Sequence, residues 1–235
     1  MRVLTDLSGP DRDTCPLRSE SAPRRSYLVC STPRSGSGLL CRGLAGTGVA
    51  GAPLEYFNPL HRRMLTDRWG CGSSLDEYVR ALYSHRTTPD GVFGTKLHWD
   101  QFVALRAEAL GTSAAEPEYE ISDDVIERLF PNATYVRILR RDVNRQAISL
   151  WYALCTGTWS LAADDRGDAA ARADVPYSYE GIDRCRRLIE NAELHWDRFL
   201  RFNGIEPVDV VYEELAGAHA ETIENVTRRV TLATG

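Results

Sequence analysis

A chain of 235 residues is the length of one well-cored domain and would be cramped as two. Hydrophobic residues at 43% and charged residues at 26% are ordinary for a globular protein, while a formal net charge of −5 argues against broad nucleic-acid binding, which needs a basic surface. The cysteines (Cys15, Cys30, Cys41, Cys71, Cys155 and Cys185) are scattered, with no C-x-x-C pair and no His/Cys cluster at zinc spacing, so free thiols, a reducing cytoplasmic setting and no metal are expected.

Residues 1–25 are polar, hold Pro10, Pro16 and Pro23 and lack an apolar period, which predicts a flexible leader ahead of one domain over 26–235. The same stretch lacks the apolar run of a signal peptide, and nothing later is long enough to span a membrane. Tyr27-Leu28-Val29-Cys30 is a short apolar run between polar flanks, the pattern of a buried strand. The small-residue loop Pro33-Arg34-Ser35-Gly36-Ser37-Gly38 follows, then a helix with Leu39, Leu40 and Leu44 on one face, ended by Gly46 and Gly48. Ser74 reads as the N-cap of a helix apolar at 75, 78, 79, 82 and 83. Gly91–Leu97 reads as a second strand after the Pro89-Asp90 turn, and Ala133–Leu139 as a third. The third strand runs into Arg140-Arg141-Asp142 and a helix bearing Ala147, Ile148, Leu150, Trp151 and Leu154. Residues 157–176 read as an exposed loop, Ile182 to Phe202 as a long amphipathic helix, Val208–Tyr212 as the last strand, and 221–235 as the start of another helix.

Strands alternating with helices predict a single α/β domain with a mostly parallel central sheet and helices on both faces. Ligands of such sheets sit at the carboxyl ends of the strands, where the loops at 33–38 and 140–142 both fall. Loop 31–38 gathers backbone amides, hydroxyls and one guanidinium at a helix start, a phosphate-binding strand-loop-helix in its ingredients, although an ordinary glycine-rich turn shares that composition. It is not the nucleoside-triphosphate loop, because Leu39 follows Gly38 and Lys96 is the only lysine of the chain. A nucleotide-dependent kinase is therefore disfavoured, and no Gly-x-Ser-x-Gly elbow supports a hydrolase. A non-catalytic nucleotide- or sulfate-binding module stands as the alternative from another class.

Taken together, the segments Tyr27–Leu40, Thr47–Gly51 with Glu55-Tyr56-Phe57, Gly91–Trp99, Arg140–Val143 through Gln146–Trp151, and Glu206–Val210 resemble sulfotransferases that use 3′-phosphoadenosine-5′-phosphosulfate (PAPS). The similarity is to the bacterial carbohydrate type, which includes trehalose-sulfating enzymes, and it runs from about residue 26 to about 215. It implies sulfuryl transfer from PAPS to a hydroxyl of a small acceptor, a carbohydrate, glycoside or secondary metabolite, without a metal. It assigns Pro33, Arg34, Ser35, Gly36, Ser37 and Gly38 to the 5′-phosphosulfate, and Arg140 with Ser149 to the 3′-phosphate, the neighbouring Arg141 being a rival for that place.

The resemblance makes Glu55 the general base, since an acceptor hydroxyl needs a carboxylate to take its proton. Lys96, at a strand end, is the second catalytic candidate, its ammonium stabilising charge on the transferring group. His98 is the rival base, as histidine serves in animal relatives. Tyr56, Phe57 and Trp99 are candidates to line the acceptor pocket. Members of the family often dimerise, so a homodimer is expected. The family also continues well past the segment matching Glu206–Leu215, so a shorter lid, a partner subunit or weak cofactor affinity is expected here.

Overall fold

A computed structural model describes residues 13, 22–112, 122, 124–159 and 175–232 of the chain. Strands β1 (Arg25–Ser31), β2 (Val92–His98), β3 (Ala133–Leu139) and β4 (Val208–Val211) form one sheet in the order β2-β1-β3-β4, with every neighbouring pair parallel. The apolar runs read from sequence become these strands because both faces are covered, which rewards continuous apolar character over alternation. In β1 the alternation instead divides two cores. Leu28 and Cys30 face one, Tyr27 and Val29 the other.

Nine helices appear among the described residues: α1 (Ser37–Gly46), α2 (Pro59–Trp69), α3 (Leu75–Arg86), α4 (Trp99–Leu110), α5 (Asp124–Leu129), α6 (Val143–Thr156), α7 (Tyr179–Phe202), α8 (Tyr212–Gly217) and α9 (His219–Thr231). The first core joins the sheet to Leu65 of α2, Tyr78 of α3, Phe102 of α4, Ile126 of α5 and Trp196 of α7. The second joins it to Leu40 and Leu44 of α1 and to Ile223, Val226 and Val230 of α9. A third, small cluster of Ala147, Leu150, Cys185 and Ile189 clamps α6 to α7. Burial of such apolar surface, at about 25 cal/mol per Å², is what fixes helices whose own propensity is modest.

The sequence reading omitted α2, α4, α5 and α8, and gave Tyr212, the first residue of α8, to the last strand. Helix α4 begins directly at Trp99 with no loop after β2, and Gln101 reaches back to accept the His98 amide at 3.2 Å. Of the leader, Asp13 is described, and its carboxylate lies 2.9 Å from the buried Arg86 and accepts from Trp69 Nε1 at 3.0 Å. The remainder of residues 1–21, and most of the loop read at 157–176, lie outside the described residues. No described helix is long and apolar enough to cross a membrane.

The chain leaves β1 toward β2 on one side and returns to β3 on the other, so the strand order reverses between β1 and β3. Helix α1, after β1, covers one face, and α6 after β3 leads to α7 on the opposite face. That divergence falls at the carboxyl ends of β1 and β3, the usual ligand position of an open parallel sheet.

Candidate active site

The loop leaving β1 is set by two left-handed residues, Arg34 at φ 64° and Gly36 at φ 93°. Ser35 donates its amide to Thr32 O at 3.3 Å, and the Leu39 and Leu40 amides return to Gly36 O at 2.9 and 3.2 Å. Gly36 caps α1 without a side chain, so the Ser37 and Gly38 amides begin the helix where amides have no intrahelical partner. Their orientation and the helix dipole favour an anion. Gly36 is required twice over. Its backbone is left-handed, and a Cβ there would sit 2.3 Å from Tyr212 Cδ2.

Tyr212, the first residue of α8, lies with its ring 4.5 Å from the Arg140 guanidinium, tying the end of β3 to the loop after β1. Arg140 donates from Nη1 to Arg34 O at 3.2 Å. Arg34 donates from Nε to Ser149 Oγ at 2.9 Å and from Nη1 to Trp159 O. Gln146 on α6 closes the bridge, its Nε2 donating to Thr32 Oγ1 at 2.9 Å and to Pro33 O at 2.8 Å. Arg141, by contrast, turns away to Glu214, and its amide donates to Glu213 Oε2 at 3.1 Å. Arg140, not Arg141, therefore faces the loop.

Partial burial, and then the charge of Arg140, lower the Arg34 guanidinium from its ordinary value. Two adjoining cations on one rim are stabilised by a shared anion. Buried Arg140 Nε and Ser35 Oγ both lack a hydrogen-bond partner among the described residues. Both are donors, and an anion seated at the loop would offer them acceptors.

A second cluster stands one strand over, on β2. The Lys96 amide donates to Leu54 O at 2.9 Å and Thr95 Oγ1 does so at 3.3 Å, which lays residues 54–57 along the end of β2. Glu55 then meets Lys96 Nζ at 2.6 Å and His98 Nε2 at 3.5 Å, both through Oε1. Its other oxygen accepts from Gln101 Nε2 at 2.9 Å and Asn58 Nδ2 at 3.3 Å. The far nitrogen of His98, Nδ1, lies 3.0 Å from the Oγ of Ser31, the last residue of β1. Burial alone pushes the Glu55 carboxyl up, but hydrogen bonding to His98 and the Lys96 and His98 charges outweigh it and hold the group far below the usual carboxylate range.

The three expected acceptor-lining rings are placed behind this cluster. Tyr56 is fully buried and stacks on Phe93 at 5.9 Å, Phe57 packs edge-on to Phe130 at 5.8 Å, and Trp99 stacks on His195 at 5.2 Å. All three belong to the first core.

Sequence reasoning brought Arg34, Arg140, Ser149, Glu55, Lys96 and His98 forward, and these gather in two adjoining groups at the strand ends. It passed over Gln101, Asn58, Gln146 and Tyr212. Gln101 had a local signal, a glutamine three residues after a helix-capping position. Tyr212 had none.

The sequence pattern of the family described as Stf0 sulphotransferase matches residues 26–234, so α8 and α9 fall within it. A trehalose 2-sulfotransferase of Mycobacterium tuberculosis is 30% identical over 216 residues, covering 81% of this chain and 78% of its own. A trehalose 2-sulfotransferase of Mycolicibacterium smegmatis is 29% identical over 215 residues, with the same coverage.

Proposed function

The chain belongs to the Stf0 sulphotransferase family, and from that premise we propose that it moves a sulfuryl group from PAPS to a hydroxyl of a small carbohydrate or glycoside. The observation that carries the reading is the meeting of the loop after β1 with Arg140 and Ser149 of β3 and α6, beside a carboxylate held on β2. A bare binding module explains the basic, amide-rich rim but gives no task to Glu55, and a kinase would need the Gly-Lys-Ser/Thr that the loop lacks.

In this reading Arg140 and Ser149 form one anion cradle, for the 3′-phosphate, and the amides of residues 36–38 with the Ser35 hydroxyl form the other, for the 5′-phosphosulfate. Arg34, expected at the second cradle, is bonded to Ser149 and stands between the two. The orphaned Arg140 Nε and Ser35 Oγ fit one cradle each. Bound across both, PAPS supplies the sulfuryl group and a stable adenosine bisphosphate leaving group.

Glu55 accepts the hydroxyl proton of the acceptor as the O–H bond breaks and the O–S bond forms. The electron pair of the broken S–O bond leaves on the phosphate oxygen, where Lys96 and the loop amides hold the charge. His98 is assigned a supporting role. Its Nδ1 is engaged with Ser31 and its Nε2 faces Glu55, so it orients the carboxylate rather than replacing it. Tyr56, Phe57 and Trp99 act as the rigid bed of this group.

The relatives are named for trehalose, which makes trehalose the first acceptor to try here. The test is transfer of label from ³⁵S-PAPS to a panel of trehalose, other disaccharides and glycosides. Wild-type protein should label at least one sugar, and Glu55→Gln should lower that rate by about 10²–10⁴-fold while nucleotide affinity changes little. Equal rates would remove Glu55 from proton transfer, and no labelled sugar would remove the carbohydrate acceptor.

A further inference from the structure

The carboxylate of Glu55 has no place left for a substrate. An ionised carboxylate offers about four lone-pair positions. Lys96 and His98 stand at Oε1, and Gln101 and Asn58 at Oε2. An acceptor hydroxyl can hydrogen-bond to Glu55 only after one of the four has moved.

Three of them are tied elsewhere. Gln101 is buried and its Oε1 accepts the His98 amide at 3.2 Å. Asn58 caps α2, its Oδ1 accepting the Leu60 amide at 3.0 Å. His98 Nδ1 is engaged with Ser31. Lys96 is different, an ammonium on a flexible four-carbon stem with rotatable donors. Its strand neighbours β1, where Val29 is its register partner and the phosphate loop starts a few residues on.

We propose that Lys96 is a catch. It holds Glu55 in an ion pair until a sulfuryl donor seated on the phosphate loop draws the ammonium away, and that exchange uncovers the carboxylate for the acceptor hydroxyl. The inference rests on the donor-site reading above and adds an order of events, with donor seating preceding base exposure. It also gives the chain a reason to keep a base so firmly ionised and so fully bonded at rest. The carboxylate is protected from idle proton exchange and regains basicity when its cation is redeployed.

Because Lys96 is the only lysine, protein grown on ¹³Cε-lysine carries a single labelled side chain. Its NMR signal is followed in wild type, Glu55→Gln and Glu55→Asp, with and without saturating PAPS and with no acceptor present. The Asp variant keeps the charge while opening the 2.6 Å contact, and it serves if the Gln variant fails to fold. Amide signals of Ser37 and Gly38 report donor binding independently.

Without PAPS, wild type and variants should give different lysine positions. With PAPS, the three should converge, because Lys96 no longer senses residue 55. Amide shifts with lysine positions that stay as far apart as before would overturn the catch and leave the donor site standing. Absence of any PAPS-dependent shift, at the amides or the lysine, would overturn the donor site and the catch with it.

Discussion

Replacing Gly36 with alanine asks whether the loop conformation is what positions Arg140. Two separable costs follow from the geometry. A non-glycine residue at φ 93° leaves the favoured region, which costs about 1–2 kcal/mol. The new Cβ would also stand 2.3 Å from Tyr212 Cδ2, so the ring must shift by about 1 Å, an overpacking that typically costs about 1–3 kcal/mol.

The sum is about 2–5 kcal/mol, and at roughly 2–4 °C per kcal/mol for a domain of this size the Tm should fall by roughly 4–20 °C. Thermal and urea denaturation of Gly36→Ala, Tyr212→Ala and the double variant separate the parts. Removing the ring should rescue the clash but leave the backbone strain, giving a coupling of about 1–3 kcal/mol. A Gly36→Ala protein within about 0.5 kcal/mol of wild type, or strictly additive variants, would show that Tyr212 does not brace the loop.

Gln101→Leu removes a donor to Glu55 and the acceptor of the His98 amide while keeping similar volume. Turnover should fall about tenfold with little change in the KM for donor, measured in steady-state assays. Arg137 forks onto Asp209 at 2.7 and 2.9 Å and reaches Asp197 at 3.3 Å, linking β3, β4 and α7 away from the site. Arg137→Ala should lower stability by about 0.5–1.5 kcal/mol in urea titrations and leave nucleotide affinity unchanged. The depressed Glu55 carboxyl gives a pH signature, because its stabilisation is complete above the unfolded value of about 4.3 and disappears only as pH falls through the lower folded value. The stability gap between wild type and Glu55→Gln should therefore be constant above about pH 5 and shrink below it, checked by denaturation from pH 3 to 8.

The sheet was legible because its strands are continuous apolar runs bounded by turn residues, as at Tyr27–Cys30 and Ala133–Leu139. Helix α7 was legible for the opposite reason, a long stripe at Ile182, Cys185, Ile189, Trp196 and Phe199. Helix α2 escaped because Leu65 is the only residue it buries fully, leaving almost no period to detect. Helix α4 escaped because it starts with no turn between His98 and Trp99. In the site, the anion loop could be read from its composition and its place at a strand end.

The aromatic residues could not be placed in the same way. Apolar and stacking chemistry suggested a pocket lining, but Tyr56 sits in a turn after Leu54 and is fully buried in the core. The mutual pairing of Glu55 with Lys96 joins residues 41 positions apart, and only the register of the loop on β2 brings them together.

Titration calorimetry with adenosine 3′,5′-bisphosphate examines whether the ends of β1 and β3 jointly grip a doubly phosphorylated adenylate. Wild-type protein should bind with micromolar Kd, and Arg140→Ala should bind about 10–150-fold more weakly, the loss expected for charge-assisted hydrogen bonds worth about 1.5–3 kcal/mol. Heat-silent wild-type protein, or an Arg140→Ala protein that binds as tightly as wild type, would contradict the assignment of these strand ends.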